Sequence, residues 1–218
     1  MLEICTFSLE SAFLAAESGA DRLEVCIDYE SGGLTPPFEW VYSLKRTIAT
    51  PIFVMLRENA NSFIYSQEEW ASLKQIGKKL KEAGADGFVF GGLDISGRLA
   101  QKESKDLIES LQKPCVFHRA FDQVSDPYQA VDDAVSVGFK RILTGLGQSD
   151  MSLLRSIRTY ANGRIEILPG GGIRSTNAQA YLESGFADIH SSAIVNNRLD
   201  ASEIRALKTL VKEIKNPL

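Results

Sequence analysis

The stretch ESGADRLEV at 17–25 returns as EAGADGFVF at 82–90, and weaker copies follow as SVGFKRILT at 136–144 and ESGFADIHS at 183–191. Each copy reads as the end of a helix, a glycine, then a short apolar strand. Gly19, Gly84, Gly138 and Gly185 fall where a chain leaving a helix adopts a left-handed conformation that disfavours a Cβ. Between copies there is room for one further strand and one or two helices. Four such units make eight strand–helix pairs, which predicts a closed (β/α)8 TIM barrel. That fold places chemistry at the C-terminal ends of the strands and in the loops that follow them.

The spacing predicts strands at 2–5, 22–26, 51–57, 86–91, 115–118, 141–144, 165–169 and 187–191. Helices are expected from Ser8, after the loop 29–37, from Ser66 (with Glu69 completing a capping box), over 101–112, from Asp126-Pro127, over 149–160, from Ser175 and over 201–214. No linker or low-complexity tract interrupts the alternation, so residues 1–218 read as one α/β domain. The 24 basic and 28 acidic residues leave a net charge of −4, which argues against a nucleic acid or an anionic membrane as partner. No apolar run approaches the roughly 18–20 residues of a membrane span. The first residues lead straight into a strand without a signal-peptide pattern, and three cysteines are an odd number. Both features predict a cytoplasmic protein with reduced thiols.

Strand side chains alternate between the barrel interior and the helix layer. In LEIC, Leu2 and Ile4 suit the helix side, which turns Glu3 and Cys5 inward. In RLEVC, Leu23 and Val25 go outward, leaving Glu24 and Cys26 inside. The same parity turns Met55, Arg57 and His118 inward. Two interior carboxylates need partners, and Arg57, His118, Arg119 and His190 are the candidates. In HRAFD (118–122), His118 is of a type that titrates near neutral pH; Asp122 is placed to orient it and Arg119 to hold an anion. The loops after strands seven and eight, PGGGI (169–173) and SSA (191–193), sit where barrels often bind phosphate. Gly170, Gly171, Gly172, Ser191 and Ser192, with His190, therefore form a candidate anion or substrate site. Cys5 and Cys26 end neighbouring strands about 4.8 Å apart. With Met55 they offer three soft sulfurs, a set suited to Cu(I); the alternative is small buried side chains and a gap-filling methionine.

The chain resembles the copper homeostasis protein CutC family. The resemblance is carried by LEIC with SLESA, GADRLEVC, GGLTP, VMLR with FIYS, GADGFVFG, FHRAFD, RILT, PGGGI and IHSSA, in order, up to about residue 197. It implies a (β/α)8 barrel, a cytosolic protein of copper handling, and a homo-oligomer, dimer or higher. It also implies Cu(I) ligands at Cys5 and Cys26. Two segments depart from the family pattern: ENANSFIYS after Arg57 lacks the usual proline and basic residue, and TGLGQS follows strand six where Ser-Gly-Gln after Thr is more common.

Two functions follow as expectations. The first is copper homeostasis through Cu(I) bound by Cys5 and Cys26, with Met55 as a possible third donor and no organic cofactor. The second is an enzyme of unknown reaction acting on a small anionic or phosphorylated substrate. There His118 would be the acid/base, Asp122 its orienting partner, and Glu3 or Glu24 a second carboxylate.

Overall fold

Four glycines turn the chain from helix into strand. In the computed structural model, which describes residues 1–215, Gly19, Gly84, Gly138 and Gly185 have φ between +86° and +106°. The last three residues of the expected 1–218 domain lie outside the described residues. The chain runs β1 (Leu2–Thr6), α1 (Leu9–Glu17), β2 (Arg22–Val25), α2 (Phe38–Thr47), β3 (Ile52–Met55), α3 (Gln67–Glu82), β4 (Gly87–Phe90) and α4 (Gln101–Leu111). It continues with β5 (Cys115–Phe117), α5 (Pro127–Val137), β6 (Arg141–Thr144), α6 (Met151–Ala161), β7 (Glu166–Pro169), α7 (Ala178–Glu183) and β8 (Ile189–Ser191). The hairpin β9 (Ile194–Val195) and β10 (Arg198–Leu199) precedes α8 (Ala201–Lys215). Short 3-10 turns follow β5 and β6, at Arg119–Gln123 and Leu146–Gln148.

Local chemistry accounts for the helix starts. Ser66 caps α3 in a reciprocal pair with Glu69, and Asp126 caps α5 by accepting from the amides of Tyr128 and Gln129. α7 begins three residues later than Ser175 suggested. The Ser175 amide and hydroxyl are both held by Glu203 at 2.7 Å, and the Asn177 side chain accepts from the Arg174 amide, so this segment is a turn. The β9–β10 hairpin was not anticipated. It turns on Asn196 and Asn197, at φ +50° and +62°, the left-handed pair that two-residue hairpins favour.

The eight main strands are parallel and ordered β7-β6-β5-β4-β3-β2-β1-β8. The last strand returns to pair with the first, Glu3 opposite His190, which makes a nearly closed barrel. Among the described residues no ladder joins β7 to β8. Arg141 on β6 spans that seam, reaching Glu166 on β7 at 2.5 Å and Asp188 before β8 at 2.9 Å. The side-chain alternation divides the core as expected. Leu2, Ile4, Leu23, Val25, Ile52 and Val54 pack with the helices. Cys5, Cys26, Phe53, Met55, Val89, Val116, Leu143 and Leu168 form a separate interior cluster. No helix among the described residues is long and apolar enough to cross a membrane.

Because Arg141 substitutes for backbone pairing at the seam, Arg141→Met should destabilise the chain by about 2 kcal/mol, within the range for breaking a partly buried ion pair. Hydrogen exchange should quicken at β7 and β8 more than at β4. Equal acceleration across all strands would show that the seam carries no special share of stability.

Candidate functional site

The register brings the interior polar residues into adjacent layers. Glu3 lies opposite Arg22 on β2 and His190 on β8, and Cys5 lies opposite Glu24. Arg22 Nε donates to Glu3 Oε2, and Glu3 Oε1 is 2.7 Å from His190 Nδ1. The Arg22 guanidinium lies 4.2 Å above the Phe53 ring. Gly87 makes room for that ring, since a Cβ there would come within 2.5 Å of it. Burial pushes Glu3 upward, but the hydrogen bond to His190 and the charge of Arg22 outweigh it and hold the carboxyl at about 2. Burial opposes the charge on His190, yet the Glu24 and Glu3 carboxylates keep it well above its ordinary 6.5. Glu24 is raised, first by burial and then by repulsion from Glu3. The expected partners Arg57, His118 and Arg119 do not meet these carboxylates. Arg22, which shares the inward parity of Glu24, meets Glu3.

The two thiols sit one layer nearer the mouth. Cys5 Sγ and Cys26 Sγ are 3.7 Å apart, and both donate to Glu24 Oε1, at 3.3 and 3.5 Å. Burial pushes the Cys26 thiol up to about 12 and Cys5 well above 9, so both are protonated in the metal-free chain. Glu24 Oε2 is buried without a hydrogen-bond partner. Gly33 covers Cys26: a Cβ on it would lie 3.2 Å from Cys26 Sγ and 3.4 Å from Met55 Cε. Met55 therefore shares the interior cluster with both cysteines. Cys115 is elsewhere, packed in the helix-side core and bonded to the Lys113 carbonyl. Two sulfurs, a neighbouring thioether and an unsatisfied carboxylate oxygen form a donor set that fits a soft cation, which would displace the thiol protons on binding. Cys5, Glu24 and Cys26 offer ligand atoms within 4.8 Å of one another, as do Glu3, Glu24 and His190.

Above the thiols a cavity of about 400 Å³ is bordered by Cys5, Glu24, His118, Arg119, Gly171 and Gly172, among others. His118 is 3% exposed. Its Nδ1 accepts from the Ala120 amide at 3.2 Å and its Nε2 has no partner. Burial, then the charge of Arg57, lowers it from 6.5 to about 3. The expected titration near neutral pH is thus corrected: His118 is a neutral imidazole with its proton on Nε2. Asp122 does not orient it either. That carboxylate accepts from Arg119 Nε at 2.8 Å, Thr144 Oγ1 at 2.6 Å and the Gly145 amide at 3.1 Å.

Arg57 borders the cavity, but its guanidinium is committed to the carbonyls of Ser31, Gly33 and Ala60, at 2.6, 3.3 and 2.7 Å. The Gly170 amide is bonded to the Thr144 carbonyl, whereas the amides of Gly171 and Gly172 have no acceptor among the described residues. Ser191 donates to the Ile173 carbonyl at 2.6 Å and lies outside the cavity lining. Ser192 is on the lining and accepts from Arg174. Arg174, not anticipated, also reaches Ile173, Ser191 and Ile194, and so joins the loops after β7 and β8.

Glu3 supplies a test of the buried charge cluster. Because its pKa falls from 4.5 to about 2 on folding, its stabilising contribution is fully present above pH 4.5 and disappears as the pH falls through 2. Arg22→Met should destabilise the protein by about 3 kcal/mol at pH 7, and by less at pH 4, where Glu3 without Arg22 takes up a proton. Denaturant midpoints at the two pH values measure this; a penalty independent of pH would mean that Arg22 acts through packing on Phe53 alone.

Comparison with known proteins agrees with this geometry. The model of the CutC family matches residues 1–195. A human copper homeostasis protein cutC homolog is 38% identical over 203 residues, covering 88% of this chain and 73% of the human protein. The Caenorhabditis elegans copper homeostasis protein cutC homolog is 39% identical, over 84% of this chain and 75% of its own length. Among solved structures, a CutC protein of Streptococcus agalactiae superposes with a TM-score of 0.84 at 25% identity, covering 92% of this chain and 99% of that one. The barrel is thus shared over nearly its full length, and the chain belongs to the CutC family.

Proposed function

We propose that this chain serves copper homeostasis by binding Cu(I) as cargo between Cys5 and Cys26, with Met55 as a further soft donor. The observation that carries the reading is the 3.7 Å separation of the two buried sulfurs, both facing Glu24. Relatives named as copper homeostasis proteins support it. The thiols and the thioether favour a soft ion over the hard cations that oxygen ligands select. Glu24 Oε1 already accepts both S–H groups, so it is placed to receive a proton as the thiols become thiolates. Arg22 and Glu3 hold His190, and with it a positive charge, beside the carboxylate. Three buried cysteines without a disulfide suit a reducing cytoplasm. The homo-oligomer that the family resemblance implies remains part of this proposal, and sedimentation would size it.

Under reducing conditions and against a competing chelator, the chain should take up about one Cu(I). The double variant Cys5→Ser/Cys26→Ser should lose that uptake with its thermal midpoint little changed. Unaltered stoichiometry in that variant would remove the assignment. Affinity should also rise with pH, about tenfold per unit for each proton expelled to solvent. An affinity constant between pH 6 and 8 would show that the thiols are not the ligands.

A further inference from the structure

We propose that the barrel mouth also binds the oxyanion of a small molecule, a phosphate ester or a carboxylate, against a wall made only of hydrogen-bond donors: the His118 Nε2–H, the amides of Gly171 and Gly172, and the free edge of Arg119. This goes beyond copper binding, because none of these groups is a metal ligand in its present state.

The most telling member is His118. A buried N–H with no acceptor is costly, and this one belongs to a ring that borders the 400 Å³ cavity. The Ala120 amide occupies Nδ1 and so fixes the proton on Nε2. The ring is wedged edge-on against Phe63, with centroids 4.9 Å apart. It is a fixed donor, and because it stays neutral it donates without supplying a proton.

Arg119 is prepared in the same way. Its Nε is anchored on Asp122, which Thr144 and Gly145 hold in turn, while its terminal nitrogens make no bond among the described residues. The guanidinium carbon lies 3.7 Å from where a Cβ on Gly171 would stand. Arg119 therefore overhangs the glycine turn, and the missing side chain leaves the gap between them open. The cavity's other charges agree in sign. Arg57, Arg174 and the imidazolium of His190 also line it, against two acidic lining residues, Glu24 and Glu30. An oxyanion would satisfy the histidine N–H and the two amides together, and Arg119 would supply the charge-assisted bond. A cation would satisfy none of them.

The chain has two histidines, so its ring N–H signals can be assigned in the full-length protein labelled with 15N-histidine. The probes are inorganic phosphate and acetate, with chloride at equal ionic strength as control. The His118 Nε2–H signal is expected to move saturably with phosphate, acetate or both, and the more effective probe names the class of ligand. It should stay put with chloride. Arg119→Met should weaken binding about tenfold, with a thermal scan confirming that the variant is folded. Cys5→Ser/Cys26→Ser should bind the anion as wild type does, so the two sites fail or stand independently. A signal that ignores both anions at millimolar concentration, that moves equally with chloride, or that moves identically in Arg119→Met would overturn the proposal. So would a His118 proton found on Nδ1.

Discussion

A carboxylate in the middle of a barrel has to be matched from its own layer, since water cannot reach it and the surrounding side chains are apolar. Glu3 meets this requirement through register alone. As a residue of β1 it has β2 on one side and β8 on the other, and those strands place Arg22 and His190 directly beside it. The charge match thus ties together the first, second and last strands. Arg22 then needs Phe53 as a platform, and Phe53 needs the empty side of Gly87. Across the interior, Val89, Val116, Leu143 and Leu168 make ordinary apolar packing. Ionisable groups are thus gathered under one half of the mouth, the half that also carries the thiols.

Around the rim, arginines act mainly as brackets between neighbouring loops. Arg57 joins the loops after β2 and β3 through carbonyl oxygens. Arg174 joins those after β7 and β8. Asp122 joins the ends of β5 and β6, with Arg119 attached to it. Each bracket spans two successive βα loops, which gives long loops a defined position without secondary structure of their own. Of the three arginines in these brackets, Arg119 is the one whose two terminal nitrogens make no bond among the described residues.

Much of this could be read from the amino-acid order. The glycine-marked repeat specified the number of strands, and the two-residue alternation turned Glu3, Cys5, Glu24, Cys26 and Met55 inward. Arg22 obeys the same alternation, and reading RLEVC one residue further back would have found it. Other features were hidden for a physical reason. Whether His118 is charged depends on its burial and on the nearness of Arg57, neither of which a local motif encodes. Asp122, four residues away in sequence, turns instead to Thr144 across the sheet. The β7–β8 seam is likewise invisible until strand order is known, although Arg141, Glu166 and Asp188 are ordinary charged residues flanking strands.

The two thiols are not equivalent. Cys5 is 5% exposed and lines both the mouth cavity and an adjoining groove, whereas Cys26 is fully enclosed beneath Gly33. Any ion or reagent arriving from outside therefore encounters the Cys5 sulfur before the Cys26 sulfur, and a departing one loses them in the reverse order. A transfer partner would have to engage at Cys5. Access to the second sulfur is governed by the Gly33 loop, whose carbonyl accepts from Arg57, rather than by the residues around Cys5. Capture and release in such an arrangement can be tuned by different residues.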